Sequence, residues 1–120
     1  MRPRTRLVIA VSFLLASCSE MPFIDEVTVV NETEYPAHVE VTDQNRDGWL
    51  GLTTVDPHST SAVAETIDQG ETWVFRFDYV GKHHELVEVS RSELERNDWT
   101  VEVPVTFEQQ LRARGVIPPR

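Results

Sequence analysis

The chain has 120 residues, 20 of them acidic and 11 basic, for a formal net charge of −9. That length holds one domain with a modest core. The acidic balance argues against nucleic acid and against direct adhesion to anionic lipid heads, both of which require basic patches, and a lone cysteine, Cys18, leaves no internal disulfide.

The N-terminus has three parts. Arg2, Arg4 and Arg6 give a basic start with no acid among residues 1–17. Residues 7–15 are apolar except for Ser12, a run of about nine residues, whereas a bilayer-spanning helix takes about twenty. Ala16 and Ser17 are the small residues a signal protease requires before its cut. The residue after that cut is Cys18 itself. The tetrad Leu15-Ala16-Ser17-Cys18 resembles the lipobox of bacterial lipoproteins. The resemblance covers residues 1–18 only. It implies cleavage between Ser17 and Cys18, a diacylglyceryl group on the Cys18 thiol, often acylation of the new amine, and a lipid-anchored place on the exported side of a cell membrane. A plain secreted protein with an unexplained thiol is the alternative. Removing the first 17 of 120 residues takes away three arginines, so 8 basic residues face 20 acidic ones and the mature charge is −12.

Residues 18–26 then read as the lipidated cysteine and a short tether containing Pro22. Residues 27–30, Val-Thr-Val-Val, are β-branched throughout and predict a first strand. Residues 31–34 turn. Residues 37–42 alternate, with Val39 and Val41 on one face and His38, Glu40 and Thr42 on the other, the pattern of a half-buried strand. After a turn at residues 43–48, a strand over 49–55 carries Leu50 and Leu52. Residues 56–59 turn, 61–67 form a weaker strand with Val63 and Ile67, and 68–70 turn again.

Residues 71–80 carry the strongest pattern. Trp73, Phe75, Phe77 and Tyr79 share one face, and Arg76 and Asp78 the other. Aromatics at period two bury a large apolar area on a pleated surface, so this strand is expected at the centre of a sheet with its rings in the core. Gly81-Lys82 makes a hairpin, and residues 84–89 return with Val87 and Val89 inward. Ser90…Glu93 and Ser92…Glu95 both have capping-box spacing for a short helix through Leu94, which Asn97-Asp98 ends. Residues 99–103 place Trp99, Val101 and Val103 on one face until Pro104 breaks the strand. A last helix over 106–114 is expected, with capping-box spacing at Thr106 and Gln109, Phe107 stacked on Leu111, and Gly115 as its stop.

About seven short strands with regular turns point to a mainly β fold: a small β-sandwich, immunoglobulin-like or transthyretin-like, over residues 27–104, with a short C-terminal helix and tail over 105–120.

Chemistry is sparse. Asp43-x-Asn45-x-Asp47-Gly48 has oxygen side chains at positions one, three and five and glycine at six, like the start of a calcium loop. Position twelve is Thr54 rather than a bidentate glutamate, the flanks read as strands, and Asp, Asn and Gly also suit any turn. His38, His58, His83 and His84 show no metal-ligand spacing. No Gly-x-Ser-x-Gly elbow or His-Glu-x-x-His pair is present. The expectation is a non-enzymatic protein held to the bilayer through Cys18, with no cofactor beyond its covalent lipid. It would present its sandwich to another envelope protein or a wall polymer. A calcium-dependent module using Asp43, Asn45 and Asp47 is the alternative, and a small envelope enzyme the third.

Overall fold

The computed structural model describes residues 22–120. Seven strands and two helices follow one another among these residues: β1 (Phe23–Asn31), β2 (Ala37–Thr42), β3 (Leu50–Val55), β4 (Ser59–Ile67), β5 (Thr72–Asp78), β6 (His84–Ser90), α1 (Arg91–Arg96), β7 (Thr100–Glu102) and α2 (Val105–Ala113). The strands build a β-sandwich of one sheet in the order β4-β1-β7 and one in the order β3-β2-β5-β6. β1 and β7 run parallel, and every other pair is antiparallel.

The aromatic strand lies where its pattern puts it, hydrogen-bonded on both sides, to β2 and to β6. Val39 stands opposite Phe77 and Val41 opposite Phe75. Trp73, Phe75 and Phe77 are fully buried, facing Val27 and Val29 of the other sheet in one core. Burying each such side chain contributes roughly 1.5–3 kcal/mol relative to leaving it in water. Leu94 of α1 and Phe107 and Leu111 of α2 join the same core, so both helices are held by packing rather than by their own short length.

Three local expectations change. β1 begins at Phe23, inside the 18–26 stretch expected as lipidated cysteine and tether, and Phe23 pairs with Ile67 of β4. Pairing skips Asp25 and Glu65, and Glu65 takes a left-handed φ of 54°. The buried positions of β1 then change from Ile24 to Val27, Val29 and Asn31. Residues 23–26 therefore lack the alternation that marks a strand by sequence. The aromatic strand ends at Asp78 rather than residue 80. Val80 and Gly81 have φ of 41° and 72°, and the Lys82 amide donates to the Tyr79 carbonyl at 2.8 Å. This is the hairpin turn with positive φ at both central positions, an expensive conformation for a β-branched residue. Finally, α2 starts at Val105 with Pro104 before it and no side-chain cap. Thr106 does not form the expected box with Gln109, because its hydroxyl donates to Glu85 of β6 instead, at 2.8 Å.

The other helix signals hold. Ser90 and Glu93 form the capping box of α1. Both helices finish in a Schellman motif. After α1, the Trp99 amide donates to the Leu94 carbonyl and the Asp98 amide to that of Glu95, with Asp98 at φ 53°. After α2, Val116 donates to Leu111 and Gly115 to Arg112, with Gly115 at φ 76°.

The strand directions give the sandwich two ends. One holds the start of β1, the 43–49 and 68–71 loops and α1. It is tied together by the Asp68 amide donating to the Pro22 carbonyl, by the Arg91 amide donating to Glu71, and by the Arg91–Asp68 ion pair. The other end holds the 32–36, 56–58 and 79–83 turns and α2. There Asn31 is a fully buried hub whose amide donates to the carbonyls of Tyr35, Val55 and Asp56. Its carbonyl oxygen accepts from the amide and hydroxyl of Thr33. Tyr35, also buried, donates its hydroxyl to the Val116 carbonyl, and the Arg112 guanidinium lies 5.6 Å over its ring.

Candidate functional site

Ser17 and Cys18, the expected cleavage and lipidation residues, lie outside the described residues. The start of β1 fixes how the chain arrives from them: only residues 19–22 separate Cys18 from Phe23. Five residues span at most about 18 Å.

The Asp43–Gly48 loop is a turn held by its own first residue. Asp43 Oδ1 accepts the backbone amides of Asn45 and Arg46 at 3.1 and 3.0 Å, and the Arg46 amide also reaches the Asp43 carbonyl. Arg46 takes φ 57° and sends its guanidinium to Glu88 of β6, 2.8 Å away. The Arg46 guanidinium is thus directed out of the loop to β6, and one Asp43 oxygen is spent on the backbone. Thr42 donates to the Gly48 carbonyl at 2.6 Å, closing the turn. Among the described residues, no group of three or more His, Cys, Asp and Glu side chains gathers as metal ligands.

The histidines all fall at the α2 end. Strand register sets His38 and His84 on either side of Asp78, in one row across the outer face of the four-stranded sheet. His38 Nδ1 meets Thr54 at 3.2 Å, and Asp78 accepts the Gly81 amide at 3.1 Å. His58 lies 2.6 Å from Glu34 in an exposed pair. His83 is mostly buried, 2.7 Å from Glu85, with its ring 6.5 Å from that of Phe107.

His83, Glu85 and Thr106 bring together residue types that catalysis uses, and their order is wrong for that use. Imidazole and hydroxyl both point at the carboxylate, so His83 does not stand beside Thr106 as its base, and the Glu85 carboxylate is engaged by both. Burial works to raise the Glu85 pKa, but the hydrogen bonds from His83 and Thr106 and the His83 charge outweigh it, leaving the carboxyl below its ordinary value. Such a carboxylate stays ionised and clamps α2 to the start of β6. Asp68, at the opposite end, is a parallel case. Burial raises its pKa, and the Arg91 hydrogen bond, the Gly70 amide and the Arg91 charge overcome that and lower it.

Sequence reasoning missed the exposed apolar side chains. At the α2 end these are Val80 (71% exposed), Val105 (62%) and Ile117 (81%). At the β1 end, Phe23 and Ile67 are cross-strand partners, 48% and 39% exposed. The signal was present for Val80, whose place before Gly81-Lys82 makes it a turn residue, but not for Phe23, which looked like tether.

No known protein family, curated protein or solved structure matches the chain.

Proposed function

We propose that this is a non-enzymatic lipoprotein, anchored through Cys18, that holds a β-sandwich close to a membrane and offers its α2 end to another envelope protein or a wall polymer. The observation that carries the proposal is the opposition of the two ends. The chain enters the sandwich at Phe23, within about 18 Å of Cys18, and the strand directions put the 79–83 turn at the other end. There Val80 is 71% exposed in a left-handed conformation with φ 41°. A β-branched side chain held in that region costs on the order of 1–3 kcal/mol, and such strain collects at contact sites. Two acyl chains suffice for stable anchoring. The clamp geometry of His83, Glu85 and Thr106 supports a role without catalysis.

The test has two arms. Full-length protein is labelled in cells with a palmitate analogue beside Cys18→Ala. Label on the wild type alone supports the anchor, and equal absence of label with normal export and cleavage overturns it. In the second arm a photo-reactive side chain replaces Val80 or, for comparison, Leu86 on the outer sheet face. A cross-linked product from position 80 and none from 86 supports presentation by the α2 end. Equal products, or none at either position, count against it.

A further inference from the structure

Among the described residues, the end nearest the anchor carries an uncovered apolar surface of its own. Phe23 and Ile67 open the β1–β4 pairing, both substantially exposed. Beside them a shallow cleft runs between the edges of the two sheets, lined by Leu50 and Leu52 of β3 and Val63 of β4. The Thr66 hydroxyl, in the wall of this cleft and 3% exposed, is the buried side-chain polar atom left without a hydrogen-bond partner among the described residues. Two half-buried tryptophans, Trp49 and Trp99, lie at the same end. Trp is favoured at membrane interfaces, where one side of the ring is apolar and the other wet.

We propose that this end rests on the membrane, with Phe23 and Ile67 inserted at headgroup level into a zwitterionic phospholipid surface. The inference rests on the anchor proposed above. Chain length favours the bilayer over other occupants: the link from Cys18 reaches at most about 18 Å, less than the thickness of a small domain. Whatever covers Phe23 must therefore fit between the sandwich and the surface that holds the lipid. Charge selects the lipid. Asp25, Glu26 and Glu65 are exposed around the pair, so anionic headgroups are repelled while the ammonium groups of zwitterionic ones are tolerated. Contact at this end also orients the domain, strands upright and α2 outward, where a tether alone would let it tumble.

The experiment uses the lipidated protein in phosphatidylcholine vesicles. Lipidation consumes Cys18, so Ala64→Cys or Val80→Cys supplies a single thiol for an environment-sensitive fluorophore. Quenching by nitroxide-labelled lipid is then read at each position. The expected result is at least threefold more quenching at 64 than at 80. It should fall to the level of position 80 when Phe23→Ser and Ile67→Ser are combined, and fall as phosphatidylglycerol replaces phosphatidylcholine. Equal quenching at 64 and 80 on protein shown by mass to carry lipid overturns the inference and leaves the anchor standing. Absence of lipid by mass defeats the anchor itself. Energy transfer between labelled copies, without lipid quenching, would place a second copy of the chain in the cleft and also overturn it.

Discussion

The two ends of this sandwich are closed in different ways. At the α2 end the chain seals its own core: Phe107 and Leu111 enter it fully buried, Tyr35 and Asn31 satisfy the turn carbonyls, and the Glu85 clamp fixes the helix. At the β1 end Leu94 of α1 and Trp73 against Trp99 close the core, the Arg91–Asp68 ion pair and the Pro22 carbonyl tie the loops, and Phe23 and Ile67 are left substantially exposed. Among the described residues both ends expose apolar side chains, isolated ones at the α2 end and a cross-strand pair, Phe23 with Ile67, at the β1 end. A small domain can treat its ends as separate devices because the sheets between them carry the common core.

Removing the apolar seal at the α2 end is expected to be the costliest single change. Phe107→Ala is expected to cost about 3–5 kcal/mol, a large part of the 5–15 kcal/mol that holds a typical domain. Urea denaturation reads it, and a loss under 1 kcal/mol would mean that α2 is an ornament rather than a seal. Asn31→Ala comes next. It strips a partner from the carbonyls of Tyr35 and Val55 and from the Thr33 amide, and each buried group left unpaired costs about 1–3 kcal/mol. The expected total is about 3 kcal/mol, seen as a fall in Tm.

Acid gives the smallest effect and touches both ends. Asp68 and Glu85 have folded pKa values below their unfolded ones. Their contributions are therefore complete above the ordinary carboxylate range, near pH 4, and are lost as pH falls through the folded values. Glu85→Gln and Asp68→Asn should each flatten the decline of the urea midpoint between about pH 5 and pH 2. An unchanged profile in Glu85→Gln would remove the clamp from the description of the α2 end.

The core was legible in the sequence, the ends much less so. Trp73, Phe75 and Phe77 at period two, opposite alternating Val39 and Val41, dictate a buried sheet whatever the topology. Ser90…Glu93 and Gly115 are local signals for local events, and they held. The start of β1 was hidden because Phe23-Ile24-Asp25-Glu26 becomes a strand through pairing with β4, across an interruption at Asp25 and Glu65 that no periodicity announces. Thr106 has capping chemistry and the right spacing, but a carboxylate more than twenty positions away outcompetes its own helix. Asp43-x-Asn45-x-Asp47 suits either a cation or a turn. What weighs for the turn is Arg46 reaching Glu88, a contact set by fold rather than by motif. His38, Asp78 and His84 share a row only because three strands align them.

The parallel pairing of β1 with β7 has a consequence in time. β1 is the centre of its sheet, yet its partners are residues 59–67 and 100–102. A chain made from its N-terminus therefore holds Val27-Thr28-Val29-Val30 with both edges bare until residues 59–67 emerge, and with one edge bare until residues 100–102 do. The four-stranded sheet is built from two pairs of strands, β2 with β3 and β5 with β6, joined through β4 of the other sheet. The Thr28–Thr100 pairing closes the longest loop in the two sheets and is expected to be slow, as distant pairings are. In that interval the first strand is the segment most open to mispairing and aggregation, and the refolding rate should depend more on Val101 than on any residue of the aromatic strand's hairpin.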